Sequence, residues 1–322
     1  MASPFFLGTL ELTRNKSIKG NPVKAAVIGL LLALPLFAHA ADPEAYAYVS
    51  ALQPPAWLEE NGQRTALGAS SPILPGHVYS TGKDGRLQIV MADGSIVKLG
   101  ENSRLEFPRL QLQQRGADNV LTGSLRISRG TFRYTAQASS FVRKRELNIF
   151  AGSSLSIGIG NPDFWGQSDG AADTICLLNG KISLRQLQAP ASSPLVMEQA
   201  NSVYSVTRGN ASNPASTASP EQLRNWLSQT ELDNTRPALQ SNGAYSVLVA
   251  VYLDEAHARA IVSDINQKGY PAQLRKENRD GTPVFNVVIE GLSNAQLAIA
   301  YAEALKKPLY LKNPRVLGPG NT

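Results

Sequence analysis

VYSTGKDGRLQIVMADGSIVKLGENSRLEF, residues 78–107, reads as strand, tight turn and strand. Gln88-Ile89-Val90-Met91 and Ile96-Val97-Lys98-Leu99 are short apolar runs, with Ala92-Asp93-Gly94-Ser95 between them. Asp-Gly tolerates positive φ angles, so the spacing predicts a hairpin closed by a type I′ turn. Asp84-Gly85 opens the unit, and Asn179-Gly180 repeats the device between Ile175–Leu178 and Lys181–Leu184. A lone hairpin is only marginally stable, so further strands must cover it.

Outward from this unit, residues 73–207 alternate short apolar runs with turn signals at roughly ten-residue intervals, the pattern of an all-β sandwich or short solenoid. Strands are expected at Leu87–Met91, Ile96–Leu99, Val120–Ile127, Thr131–Thr135, Leu147–Phe150, Leu155–Ile159, Thr174–Leu178, Lys181–Leu187 and Ser202–Val206. Residues 41–72, rich in Ala, Pro and Glu, read as an N-terminal extension with Trp57 as its one large anchor. The adjacent Glu59-Glu60 reads as a solvated pair. Cys176 is the sole cysteine and sits in an apolar run, so it is expected buried, with no disulfide framework around it.

Charged residues make up 17% of the chain, below the usual quarter, while 26 Gly and 20 Pro favour strands and turns over helices. Half of the net charge of +6 belongs to residues 1–40, where Arg14, Lys16, Lys19 and Lys24 face only Glu11. These basic residues precede the apolar run Ala25–Phe37 and the small-residue pattern Ala38-His39-Ala40, the anatomy of a cleavable secretion signal. The run is shorter than the roughly 20 residues that cross a bilayer. Export to the periplasm is therefore expected, with membrane attachment only if this segment stays uncleaved.

Residues 208–243 read as a linker holding one short helix. Ser219, Pro220 and Gln222 supply an N-cap, a first-turn proline and a capping box, and Leu223, Trp226 and Leu227 form a face needing a partner. Residues 244–318 read as β-α-β-β-α-β, the split βαβ, ferredoxin-like arrangement. Tyr245–Tyr252 is the first strand, and a helix after Asp254 carries Ala258, Ile261, Val262 and Ile265 before ending at Gly269. Gln273–Lys276 and Val284–Ile289 flank the Asp280-Gly281 turn, Ser293 caps a second helix, and Leu309–Leu311 is the expected last strand.

Two segments resemble known families. Residues 73–207 resemble the FecR domain through Thr81-Gly82, Asp93-Gly94-Ser95 between its strands, and Glu101-Asn102-Ser103-Arg104-Leu105. Gly130-Thr131-Phe132-Arg133, Ile157-Gly158-Ile159-Gly160 before Asp163-Phe164-Trp165, and the hairpin Leu178–Leu184 extend the likeness. The C-terminal segment resembles the SPOR domain, a small peptidoglycan-binding module. That match rests on Val247–Tyr252 before Asp254-Glu255-Ala256, then Lys268-Gly269-Tyr270-Pro271, Phe285-Asn286-Val287 and Ser293–Ala304. The expected architecture is multi-domain: an all-β FecR-like module joined to an α+β SPOR-like one.

The SPOR resemblance implies a glycan-binding sheet face. By period-2 alternation Leu248, Ala250 and Tyr252 share one side of the first strand, with Asn286 and Val288 as their matches on the third. Tyr252 would stack on a sugar and Asn286 would bond its hydroxyls. A second candidate is a basic patch of Arg126, Arg129, Arg133, Arg143, Lys144 and Arg145 for anionic wall polymers or an acidic partner. His39 lies in the leader and His77 and His257 in different modules, and no H-E-x-x-H, P-loop or G-x-S-x-G motif occurs. The expectation is a non-enzymatic envelope protein without metal or cofactor. It would bind peptidoglycan glycan strands, with an envelope protein as a further partner and no nucleic acid. The alternative is a signalling protein of the FecR sigma-regulator type.

Overall fold

The computed structural model describes residues 45–189, 193–207 and 216–319. The expected secretion signal, and residues 208–215 of the expected linker, lie outside them. The first strands are β1 (Ala47–Gln53), β2 (Ala56–Glu60), β3 (Gln63–Ala66), β4 (Val78–Thr81), β5 (Arg86–Met91) and β6 (Ile96–Leu99). They are followed by β7 (Arg104–Arg115), β8 (Asp118–Thr135), β9 (Lys144–Ala151), β10 (Leu155–Ile159) and β11 (Asp163–Ser168). β12 (Ala172–Asn179), β13 (Ile182–Gln186), β14 (Leu195–Met197), β15 (Ser202–Thr207) and β16 (Ser216–Thr217) complete the β module.

These strands make two layers. One runs β17-β1-β5-β6-β8-β11-β12-β15-β16, where β17 is Leu239–Gln240, and the other β3-β2-β4-β7-β8-β9-β10-β13-β14. β8 belongs to both. Its first part pairs with β7 and, in parallel, with β9; its last six residues pair with β6 and β11. The strand changes layer at Gly130, whose φ of 96° suits glycine and whose Cβ would stand 2.4 Å from the Ser103 Cα. Val120–Ile127 and Thr131–Thr135, expected as separate strands, are thus one bent strand. The alternating residues of each layer bury Tyr79, Phe107, Phe132, Tyr134 and Phe164 in one core, with Phe132 and Phe164 edge to face at 5.9 Å.

The expected N-terminal extension is part of this module. β1 pairs with β5, so Ala47, Val49 and Leu52 are fully buried. Asn61 and Gly62 both take positive φ and close the β2–β3 hairpin as a two-residue turn. Glu59 is not a solvated neighbour of Glu60. It accepts from Ser80 Oγ at 2.7 Å and pairs with Arg64 and Arg104. Burial works against its ionisation, but the Ser80 hydroxyl and the two guanidiniums outweigh it and hold the carboxyl below its usual range.

The linker is a strap laid on the first layer. α1 (Pro220–Ser228) begins with the expected capping box, Ser219 Oγ accepting the Gln222 N–H and Gln222 Oε1 accepting the Ser219 N–H. Leu223 and Trp226 pack on Trp165, Cys176, Leu178 and Val203, and the Trp165 and Trp226 rings stack at 4.8 Å. Farther along, Gln53 Nε2 donates to the Asp233 and Arg236 carbonyls, and β17 pairs with β1.

The C-terminal module comprises β18 (Tyr245–Tyr252), α2 (Glu255–Gln267), β19 (Ala272–Arg279), β20 (Thr282–Leu292), α3 (Ala295–Lys306) and β21 (Arg315–Leu317). Its sheet order is β19-β20-β18-β21 with every pair antiparallel, the order of a split βαβ unit. Asp280 and Gly281 form the type I′ turn between β19 and β20. Two boundaries differ from expectation. The α3 cap is Asn294, whose side chain accepts the Leu297 N–H, and the last strand lies at Arg315–Leu317, not Leu309–Leu311. Among the described residues no helix is long and apolar enough to cross a membrane.

This module is docked on the β module, and the apolar core runs through both. Trp57 Nε1 donates to the Gln267 carbonyl at 3.1 Å, and the Ala56 N–H to the Gly269 carbonyl. Gly269 has φ +85°, and a Cβ there would stand 2.5 Å from Pro55 and 2.7 Å from the Trp57 ring. Gly269→Ala should therefore cost about 2–4 kcal/mol, from left-handed strain plus overpacking. The urea midpoint should fall for the whole chain in one transition.

Candidate functional site

The Asp93-Gly94-Ser95 turn is more than a reversal. Only Gly94 has positive φ, and the Gly94 N–H donates to the Met91 carbonyl while the Met91 N–H donates to the Ser95 carbonyl. This is a three-residue loop with glycine in the left-handed position, not the expected type I′ turn. The geometry turns the Asp93 carboxylate inward, where it is fully buried. Its oxygens accept the Ser95 N–H at 3.0 Å, Ser95 Oγ at 2.7 Å and Arg145 Nε at 2.7 Å. Tyr134 donates its phenolic O–H to Ser95 Oγ at 2.9 Å. Burial, foremost, and the Asp93 charge push the Tyr134 phenol far above its usual range.

The network removes Arg145 from the expected basic patch. Its other nitrogens donate to Asn161 Oδ1 and the Gln137 carbonyl, each at 2.6 Å. Arg133 is likewise neutralised, by Asp163 at 2.7 Å and Glu231 at 2.8 Å, and Lys98 pairs with the same Glu231. The Asp163 hydrogen bonds, ahead of opposing burial, raise the Arg133 pKa. Lys144 pairs with Asp118 at 3.1 Å, and Arg126 lies over the Phe150 ring at 5.6 Å. Arg129 opens onto a separate cleft, and Arg143 is exposed. The six residues do not form one patch, because two of them hold the module together.

The candidate glycan face is also divided. A bulge at Val249 shifts the β18–β20 register: Leu248 pairs with Val288, but Ala250 pairs with Val287, Val251 with Asn286 and Tyr252 with Phe285. Directly paired residues share a face, so Leu248, Val251, Asn286 and Val288 lie on one side. Ala250 and Tyr252 lie on the other, packed against the helix-side core, and the Tyr252 ring stacks on His257 at 4.9 Å. Tyr252 is therefore not on the same side as Leu248 and Asn286. Strict alternation cannot anticipate a bulge, which inserts one residue and inverts everything after it.

On the side with Leu248, Arg275 and Glu290 pair at 2.6 Å across the Val288 row, where Val288 is fully buried. Asn286 is 8% exposed; its Nδ2 donates to Glu277 Oε2 at 2.8 Å, while its Oδ1 has no partner among the described residues. Val251, missed by alternation, is 45% exposed beside it. The result is a sheet side whose apolar residues are covered except at Val251, with one buried amide oxygen unsatisfied among the described residues and a charged rim.

Cys176 is fully buried against Trp165 and Trp226, and burial pushes its thiol up to about 11. In the folded chain it should resist a disulfide-exchange reagent near neutral pH and react fully after denaturation. Rapid native labelling would refute this packing. His77 pairs with Glu60 at 3.2 Å, and among the described residues no group of three His, Cys, Asp or Glu side chains is placed to hold a metal.

Comparison with known proteins bears on the β module. Residues 77–183 match the FecR protein family. That region, a third of the chain, holds the Asp93 network, the Gly130 crossover and the hairpin up to Gly180. No curated protein matches the chain. Two crystal structures described as a "putative anti-sigma factor" from Parabacteroides distasonis ATCC 8503 share 10% identity with a TM-score of 0.36. They cover 64% and 65% of this chain and 96% and 97% of their own. Likeness at that level carries no argument about function.

Proposed function

We propose that this chain is an exported, non-enzymatic regulatory protein of the cell envelope, in which the FecR-like module receives a signal by binding a partner. The observation that supports the reading most is the FecR match over residues 77–183, coincident with the part of the fold built around Asp93 and Gly130. Among the described residues the C-terminal module and the strap share a core and hydrogen bonds with the β module, a contact through which a signal could pass. Removing the gene should alter a defined set of transcripts, and wild-type complementation should restore them. Unchanged transcripts under envelope stress would sink the regulatory reading. N-terminal sequencing of the periplasmic fraction tests export.

A second reading is peptidoglycan binding by the SPOR-like segment. It is favoured by the side of the sheet that carries the exposed Val251, where the buried Asn286 oxygen lacks a partner among the described residues. Glycan hydroxyls would supply the missing donor. Co-sedimentation of the full chain with cell-wall sacculi should be lost in Asn286→Ala and Val251→Glu and kept in Tyr252→Phe. A wild-type chain that stays in the supernatant excludes this reading and leaves the regulatory one standing.

A further inference from the structure

A cleft of about 340 Å³ lies where β8 crosses between layers and the strap leaves α1. Arg86, Glu101, Arg129, Thr131, Asp169 and Gln229 line it. Two buried polar atoms there lack partners among the described residues, the donor Arg86 Nε and the acceptor Gln229 Oε1. Arg86 spends only Nη1, on the adjacent Gly85 carbonyl at 2.9 Å. Its Nε–Nη2 edge, the fork that grips a carboxylate through two parallel bonds, has no acceptor among the described residues.

The nearby carboxylates do not fill that role. Glu101 Oε2 accepts the Asp84 N–H at 2.8 Å, and Asp169 Oδ1 accepts the Ala171 and Ala172 N–H groups. Among the described residues neither Arg86 nor Arg129 has a carboxylate within ion-pair distance. Burial, foremost, and the neighbouring Arg236 charge lower the Arg86 pKa, against the pull of Glu101. A half-buried guanidinium with an unpaired fork calls for an anion.

We propose that this cleft binds a small molecule carrying one carboxylate and an N–H donor, of the amino-acid or short-peptide class. The carboxylate would seat on the Arg86 fork near Arg129, and the N–H would donate to Gln229 Oε1. A multiply charged phosphate fits less well, because Glu101 repels a second negative charge and an acceptor-only ligand leaves Gln229 orphaned. The volume is at the small end of ligand sites. The proposal does not rest on the regulatory reading.

Calorimetric titration of the full chain with N-acetylglycine, with glycylglycine as competitor and N-methylacetamide as uncharged control, tests it. Saturable binding of the first two and none of the third is expected. Arg86→Gln and Arg86→Lys should each weaken binding about tenfold or more, since lysine keeps the charge but loses the fork. Gln229→Leu, a strap residue whose loss leaves Arg86 in place, should weaken it severalfold. Arg126→Gln should change nothing. Absence of saturable binding up to about 10 mM, a limit far weaker than ordinary specific recognition, overturns the proposal. So does an affinity unchanged in Arg86→Gln and Gln229→Leu, or a probe-soaked crystal in which only ordered water bridges the two orphan atoms.

Discussion

Asp93→Ala should lower the unfolding free energy by about 3–5 kcal/mol, the cost of leaving a buried ion-pair partner uncompensated. The substitution removes one carboxylate but strands three donors at once: the Ser95 N–H, Ser95 Oγ and Arg145 Nε. Arg145 is only 12% exposed, so water cannot replace the lost acceptor without opening the β8–β9 edge. Against a typical stability of 5–15 kcal/mol, the effect should appear as a large fall in the urea midpoint with m unchanged. Adding Arg145→Met to Asp93→Ala should recover part of the loss, because the penalty belongs to the orphaned charge and not to the absent bond. Asp118→Ala, which breaks the exposed Lys144 pair, is the control and should cost less than about 1 kcal/mol. Equal losses from the two would show that Asp93 is an ordinary surface carboxylate.

The same turn shows what the sequence could and could not disclose. Ala92-Asp93-Gly94-Ser95 announces a reversal because glycine takes positive φ at low cost, and local chemistry decides that much. Nothing local says that Asp93 meets Arg145, since 52 residues separate them and only the parallel β8–β9 pairing brings them together. Asn61-Gly62 is the opposite case. It is a strong hairpin signal in plain view, obscured because the flanking Glu59, Glu60, Gln63 and Arg64 lack an apolar alternation. That hairpin is held by ion pairs and by the Trp57 contact with Gly269, so its strands carry little hydrophobic signature. The capping box at Ser219 and the helix after Asp254 were legible in full, because caps are short-range hydrogen bonds between residues three apart.

The candidate face was legible only up to Leu248. Every alternation beyond Val249 is inverted by one inserted residue, and no composition signal at Val247–Tyr252 marks the insertion. The linker failed for a different reason. Residues 229–243 look solvated in composition, yet their polar groups are acceptors and donors for specific partners: Glu231 for Lys98 and Arg133, Asp233 and Arg236 for Gln53. A polar strap and a polar linker have the same composition and differ only in what lies beneath them.

What lies beneath the strap at its start is Trp165, and Trp165→Ala should be the most damaging change outside the Asp93 network, at about 3–5 kcal/mol. The indole is fully buried and among the largest side chains that are. Its removal opens a cavity beside Cys176 and also withdraws the surface on which the Trp226 ring stacks. Trp226 is half-buried, so Trp226→Ala removes the stack while leaving the β11 core filled and should cost about 1–2 kcal/mol. The two variants should separate in mechanism as well as size. In both, α1 loses its anchor, so limited proteolysis near Pro220–Ser228 should accelerate while Glu231 still clamps the strap to Lys98 and Arg133. Cys176 should react faster in native Trp165→Ala than in native Trp226→Ala, because Trp165 is its direct cross-strand neighbour and is fully buried. Protease resistance of α1 in both variants would mean that the strap is held by its ion pairs and not by the stacked rings.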